Sequence, residues 1–471
     1  MNEYKTTVGI EVHAELKTKS KIFSNSANNY GKMANTCTNV IDLGYPGVLP
    51  TVNEKAIELA LRAALVLNCK INKKMHFDRK NYFYPDNPKN YQITQNRTPI
   101  GINGYVEINV KDGKKKIRIH DIHIEEDTCK SIHNKNKSML DFNRAGIPLV
   151  EIVTEADINS SEEAMKYLEK LRELLLYADV SDCKIEEGSM RCDCNVSVSK
   201  TEKLGTKIEI KNIGSITNVG VAIDYETKRQ IALLENKKEL KEETRRFDDK
   251  TNTTVLMRIK ETGNDYRYFP EPDIPFIELN DQYIRDVYNN LPMLAEERRR
   301  IYLKSGINEI NAQKIIQNRI ISDYLNKFIN KDINLVIASN LLLGDIAAYL
   351  NKYEIKIENT KLTDDKFIDV VNYLNSQKIN SKVFKTILDD IMEEDLSIDE
   401  ILEKSGFKEI NNEELVDIIK EVLKNNEQSV NDYHAGNTRS IKYIMGQIMK
   451  ETKGNANPKE INSILEDLLN K

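Results

Sequence analysis

No apolar run in this chain reaches 18 residues, so a membrane-spanning helix is excluded on length alone. The opening MNEYKTTVGIEVH has neither a basic segment nor an apolar one, and predicts no secretory leader. Both absences point to a cytosolic, cytoplasmic protein. Cysteine is sparse: six thiols scattered over 471 residues do not make the dense framework of a disulfide-stapled fold. Cys192 and Cys194, with Cys183 nearby, lack the second pair at ligand spacing that a structural zinc site needs, so reduced thiols are expected. No single sign of charge dominates. Lys+Arg 69 against Asp+Glu 74 leaves −5, which excludes a histone-like polycation but not a local basic patch. Also missing are a GxxxxGK[ST] phosphate loop, a GxGxxG turn after a strand, HExxH and GxSxG. Any ATP chemistry here needs another kind of site.

Proline and glycine are unevenly withheld. Ten of 11 prolines lie in residues 1–292, and glycine falls from 13 before position 300 to six after it. The first part therefore reads as turn-rich with strands and the remainder as helical. Residues 7–16 alternate strictly, with Val8, Ile10, Val12, Ala14 and Leu16 on one face and Glu11, His13 and Glu15 on the other. Similar alternation marks 116–124, 193–199 and 207–211. Helical spacing marks 53–68 and 160–178, the latter opening on a Ser160…Glu163 capping pattern. The pattern predicts an α+β domain on an antiparallel sheet over 1–293, then an all-α domain over 294–408 and an all-α tail over 409–471. Amphipathic helices are expected at 294–305, 312–329, 335–352, 366–378 and 413–425.

The densest signal is residues 78–95, DRKNYFYPDNPKNYQITQ. Four aromatics in 18 residues, two prolines and the turn formers Asp86 and Asn87 predict a rigid, ordered loop presenting Lys80, Lys89 and tyrosine hydroxyls. Elsewhere Glu11 and His13 share a strand face, a pairing that suits a divalent cation and equally suits a solvated polar face. Glu151 sits inside the apolar run PLVEIV and needs a partner or a metal. The segment HIEED (123–127) puts three acids at a strand end. By alternation Glu125 shares the face of His123, whereas Glu126 shares that of Ile122 and Ile124 unless the strand has ended. Asp193, Asn195, Ser197 and Ser199 line one strand face, and Lys207, Glu209 and Lys211 another; both fit a wet cleft or ordinary surface. The aromatic, proline-rich block 265–273 fits a packed domain edge. Between positions 436 and 459 there are five bases (Arg439, Lys442, Lys450, Lys453, Lys459) and one acid, consistent with a phosphate-binding or simply solvated helical surface.

Seven blocks of the first part, GIEVHAEL (9–16), DRKNYFYPDNPKNYQITQ, IHIEEDTCK (122–130), DFNRAGIPLVEIV (141–153), MRCDCNVSVS (190–199), EIKNIGS (209–215) and DYRYFPEPD, are followed by NNEQSVNDY and GQIMKETKGNANP in the tail. In this order, over nearly the whole length, the chain resembles the B-subunit family of the bacterial Asp/Glu-tRNA amidotransferases. The resemblance implies a cradle domain with a kinase site, a helical domain and a YqeY-like tail that contacts tRNA. It implies a heterotrimer with an amidase (glutaminase) subunit, which frees ammonia from glutamine, plus a small third subunit. The cradle would use ATP and Mg²⁺ to phosphorylate the side-chain carboxylate of misacylated Glu-tRNA(Gln) or Asp-tRNA(Asn), and ammonia would displace the phosphate. Carried over by position, the resemblance implies Glu11, His13, Glu126 and Glu151 as metal ligands, choosing Glu126 over Glu125. It implies Lys80 and Lys89 at the ammonia exit, Asp193, Asn195, Lys211 and Asn212 for nucleotide or tRNA 3′-end contacts, and Arg439, Lys442, Lys450 and Lys453 on the tRNA body. Two departures stand out. Where many relatives carry Cys-x-Cys and Cys-x-x-Cys that bind zinc, this chain has Ser24, Ser26, Asn39 and Asp42, so no zinc is expected in the cradle. Cys129 replaces a family glycine, which questions the local backbone geometry. The rival reading is a non-catalytic tRNA-binding scaffold.

Overall fold

The computed structural model describes residues 4–134, 137–259, 266–407, 412–434, 437, 439–452, 455–456 and 458–469. The chain divides into two compact units, Met1–Ala295 and Glu296–Lys471.

The first unit is built on a nine-stranded sheet. Across it the order is Thr253–Ile259, Glu243–Asp248, Ile208–Lys211, Met190–Ser199, Lys5–Glu15, Pro148–Thr154, Gly113–Glu126, Gly101–Val110 and Lys70–Ile71. Every pairing is antiparallel except Ile208–Lys211 with Glu243–Asp248, which is parallel. That exception follows from the connection: the 20-residue helix Ile216–Glu235 carries the chain back over the sheet between those strands. The sequence pattern does not predict this helix, because its apolar residues are interrupted by Gly220 and by charges, and its hydrophobic stripe is weak. Its buried Glu226 accepts from Arg229 and Thr254, which ties the helix to the sheet edge.

The period of the Lys5–Glu15 strand decides which face is core. Val8, Ile10, Val12 and Ala14 are fully buried, together with apolar residues of helices Glu54–Val66 and Ser161–Tyr177. Asn53 caps the first helix by accepting from the Lys55 and Ala56 N–H groups, and Ser160 caps the second through the Glu163 N–H. The capping box is only half formed there: Glu163 accepts from the Asn159 N–H and from Lys115 instead. Glu11, His13 and Glu15 are left on the opposite face, and that face carries the cleft.

The expected loop over 78–95 is a hairpin, Asp78–Asn81 paired with Tyr91–Thr94, and Phe269–Pro270 adds a third strand. The two aromatic, proline-rich blocks are thus one small sheet. Arg79 joins them, donating to Glu271 at 2.6 and 2.9 Å and stacking 4.2 Å from the Tyr91 ring centroid.

In the second unit two expected helices are each broken in two. Asn318 ends Glu309–Gln317 and caps Arg319–Asn326. Gly344 separates Leu335–Leu343 from Asp345–Tyr353, and a Cβ there would meet the Asn340 carbonyl oxygen at 2.8 Å. Towards the end, helices Asn412–Asn425, Arg439–Glu451 and Pro458–Leu469 share a separate apolar cluster around Ile419, Ile444, Ile448 and Leu465.

Candidate active site

Strand register assembles the site. Directly opposite one another across four neighbouring strands stand Arg191, His13, Glu151 and His123. Cross-strand neighbours sit about 5 Å apart, so four segments distant in sequence deliver their polar side chains to one line. His13 Nε2 lies 3.4 Å from Glu151 Oε2 and 3.3 Å from Glu125 Oε1. His123 Nε2 donates to the same Glu151 oxygen at 3.0 Å, and its Nδ1 to Asp121 Oδ1 at 2.7 Å. Glu151 is therefore held between two imidazoles, one of them fixed from behind by a carboxylate.

The electrostatics follow from that packing. Burial works against charge on His13, yet Glu151 and Glu125 push its pKa up to about 10. Burial likewise opposes charge on His123, and Asp121 and Glu151 push it up to about 10. Burial would raise the Glu151 carboxyl, but the two imidazoles hold it well below the usual carboxylate range. Carboxylates that force protons onto two imidazoles mark a place built to hold positive charge. His13, Glu125 and Glu151 each offer a ligand atom, all within 4.8 Å of one another, a donor set suited to a divalent cation.

A second group with the same spacing lies alongside: Glu11, Asp193 and Glu209. It is already engaged. Lys211 pairs with Asp193 and lies 2.9 Å from Glu209, while Asn195 donates to Glu11 at 2.8 Å. Burial, then the neighbouring Glu151, raises the Glu11 carboxyl.

Both groups border a cleft of about 950 Å³ whose lining includes His13, Lys80, Glu125, Asp193, Lys211 and Asn212. Lys80 rests 5.2 Å from the Tyr266 ring centroid. Burial disfavours its charge, but Glu125, Tyr268 and Glu151 keep its pKa raised. Asp127, also in the lining, anchors two arginines, accepting from Arg144 at 2.6 Å and from Arg191, the cross-strand neighbour of His13, at 2.9 Å. Asn212 adopts a left-handed φ of 59°, just ahead of the helix capped by Ser215.

The profile of the GatB/GatE catalytic domain matches residues 6–285, and that of the GatB domain matches 323–469. Similar curated proteins include the B subunit of the aspartyl/glutamyl-tRNA(Asn/Gln) amidotransferase of Enterococcus faecalis, 45% identical over 99% of both chains. Those of Ligilactobacillus salivarius, 46% identical over 98% of both, and Geobacillus thermodenitrificans, 45% over 99% of both, share that name. This chain belongs to the B-subunit family of these amidotransferases.

Set against the residues that the family resemblance implied, the structure brings Glu11, His13, Glu151, Lys80, Asp193, Asn195, Lys211 and Asn212 to one face of the sheet. It separates Glu126 and Lys89 from them. The Gly113–Glu126 strand is still regular at its end, so Glu126 follows Ile122 and Ile124 to the other face. There its carboxylate pairs with Lys89 and accepts from the Ile93 N–H at 2.8 Å. Glu125 takes the place beside His13 that the resemblance gave to Glu126. His123, Asp121, Arg144 and Arg191 were missed as site residues, although His123 lay on the correct side of the alternation.

Arg439, Lys442 and Lys450 are exposed on helix Arg439–Glu451, and at about 100° per residue they fall within about 80° of its circumference, opposite Ile444 and Ile448. Lys453 lies outside the described residues. At the place where the family resemblance implied zinc-binding cysteines in other members, the residues here do not make a thiolate site. Ser24 donates to Asp42 at 2.7 Å, and the fully buried Lys21 ammonium donates to Asp42 at 3.3 Å and to the Phe142 carbonyl at 3.2 Å. Cys129 keeps out of the left-handed region, and its N–H donates to the Asp86 carbonyl at 2.9 Å. The glycine that the resemblance implied is thus not required there.

Proposed function

We propose that the cleft activates the side-chain carboxylate of Glu or Asp misattached to tRNA(Gln) or tRNA(Asn), using ATP, and that ammonia then converts it to the amide. The observation that carries this reading is the His13–Glu125–Glu151 group facing a cleft that also holds Lys80, in a chain of the B-subunit family. Mg²⁺ at His13, Glu125 and Glu151 would offset charge on the phosphoryl group in transfer. His123 and Asp121 hold Glu151 in place. Arg144 and Arg191, held by Asp127 in the same cleft, offer guanidinium groups for phosphate. Lys80 presents an ammonium beside Glu125, placed to orient a carboxylate or acyl phosphate. Asn212 and Lys211 stand where a nucleotide or the tRNA 3′ end would lie.

We further propose three parts, a cradle at 1–293, a helical domain at 294–408 and a tRNA-contacting tail at 409–471. The separate apolar cluster of the last helices and the basic stripe Arg439–Lys442–Lys450 support the tail assignment. The chain would work in the cytoplasm with the amidase and the small third subunit, without zinc in the cradle. Among the described residues no helix is long and apolar enough to cross a membrane.

The test reconstitutes the chain with its amidase and small-subunit partners, Glu-tRNA(Gln), ATP, Mg²⁺ and ammonium chloride, which bypasses glutamine hydrolysis. Product formation that falls about 100-fold or more in Glu125→Gln and within about threefold of wild type in Glu126→Gln supports the cleft as drawn. Wild-type tRNA binding with no product from Glu-tRNA(Gln) or Asp-tRNA(Asn) would leave the scaffold reading.

A further inference from the structure

Of the three lysines that the family resemblance singled out in the first unit, two are already engaged. Lys89 pairs with Glu126, and Lys211 with Asp193 and Glu209. Lys80, half-buried in the wall of the cleft, has neither a hydrogen bond nor an ion pair among the described residues. Burial opposes its charge and Glu125 favours it, but from beyond ion-pair distance. Its direct support is aromatic. The Lys80 Nζ lies 5.2 Å from the Tyr266 ring centroid, and Tyr266 meets Tyr268 edge-on at 6.1 Å and Tyr82 at 6.5 Å between centroids. An ammonium on a carboxylate has committed its charge and its donors. One held by the face of a ring keeps all three N–H groups for another acceptor.

The backbone is shaped to put those rings there. Arg267, between the two tyrosines, sits at a left-handed φ of 46°, which a residue with a Cβ adopts only where its surroundings impose it. Asn81 imposes it. The Asn81 N–H donates to the Tyr266 carbonyl at 2.9 Å, and its side-chain amide donates to the Arg267 carbonyl at 2.8 Å. Asn81 directly follows Lys80, and Phe269 pairs with Arg79 on the other side of that lysine. One strand therefore carries the ammonium and also fixes the segment that carries the rings. A packed domain edge, the plain reading of the 265–273 block, requires no left-handed arginine tied to the strand of an unpaired ammonium.

We propose that Tyr266, braced by Tyr268, is a positioning residue: it seats the Lys80 ammonium in the cleft without using its hydrogen bonds, so that its N–H groups meet the carboxylate or acyl phosphate. That Lys80 meets this group rests on the function proposed above; that the ring seats Lys80 does not.

The test is a double-mutant cycle in the chain assembled with its two partner subunits, read by ammonium-driven amidation of Glu-tRNA(Gln). Tyr266→Leu lowers kcat about tenfold or more and leaves KM for the aminoacyl-tRNA within about threefold of wild type. Tyr266→Phe, which keeps the ring, restores kcat to within about threefold. In a Lys80→Met background, Tyr266→Leu lowers kcat by less than about twofold further, because the ring acts only through the ammonium. Additive losses in the cycle, or no restoration by Phe, overturn the proposal. A second readout needs no catalysis. In the full chain, sulfosuccinimidyl acetate modifies Lys80 about tenfold or more faster in Tyr266→Leu than in wild type, while Lys89, in the same hairpin, reacts within about twofold of its wild-type rate. Equal acceleration at both lysines would mean that the hairpin had merely loosened, and an unchanged rate at Lys80 would mean that the ring does not hold it; either overturns the proposal. Absence of amidation in the wild type would refute the proposed function and leave the labelling to decide whether Tyr266 seats Lys80.

Discussion

Two acidic groups share one sheet face, and they are neutralised differently. Glu11, Asp193 and Glu209 have Lys211, an ammonium whose pKa burial lowers but Asp193 and Glu209 raise further, so it keeps its charge under all ordinary conditions. His13, Glu125 and Glu151 have imidazoles, which give up a proton to a metal. A fixed cation serves structure and orientation. A replaceable one makes a binding site. On the proposed function, the difference would put Mg²⁺ in the histidine group and leave the lysine group as a preset neighbour for phosphate or carboxylate.

The largest effect that would break the comparison lies at Glu151. Glu151→Gln removes the charge that both imidazoles share, so Mn²⁺ affinity, read by electron paramagnetic resonance, falls about 100-fold or more, and ammonium-dependent amidation falls with it. Mn²⁺ binding that survived within threefold would move the metal to the other group.

A smaller effect sharpens the contrast. Lys211→Met strips the second group of its internal cation and leaves three carboxylates with no ammonium among them. Bound Mn²⁺ should rise from one to two per chain at millimolar metal. Metal-free stability should fall by about 1–2 kcal/mol, discounted because the Lys211 side chain is one-third exposed, and added Mn²⁺ should restore it. One Mn²⁺ per chain and an unchanged melting temperature would mean that Lys211 neutralises nothing.

Much of this was legible in the sequence wherever the signal was local. Alternation set Glu11 and His13 on the polar face, and an apolar run around Glu151 demanded a partner. Alternation also placed Glu125 with His123; it was position-by-position resemblance that favoured Glu126, and pairing that stays in register from Asp121 to Glu126 favours the other. What sequence could not supply is register. The line Arg191–His13–Glu151–His123 exists only after four strands pair, and the union of residues 78–95 with Phe269–Pro270 spans a still longer separation. Helix breaks at Asn318 and Gly344 were hidden because apolar spacing continued through them.

The mildest test of the contrast is pH. In the metal-free protein His13 titrates near 10 instead of 6.5, so the folded state holds its proton more tightly than the unfolded chain. The resulting stability is complete below pH 6.5 and is lost as pH rises towards 10. A cation at His13 must displace that proton, so its binding runs the other way: affinity for Mn²⁺ rises about tenfold per pH unit while the imidazole is protonated, with one proton released. Between pH 6.5 and 8.5 the melting temperature of the metal-free chain should therefore drift down while the increment given by Mn²⁺ grows. Titration calorimetry in buffers of different ionisation enthalpy counts the proton. A pH-independent Mn²⁺ affinity would place the cation among carboxylates alone, in the group that Lys211 now occupies, and the distinction between the two groups would fail.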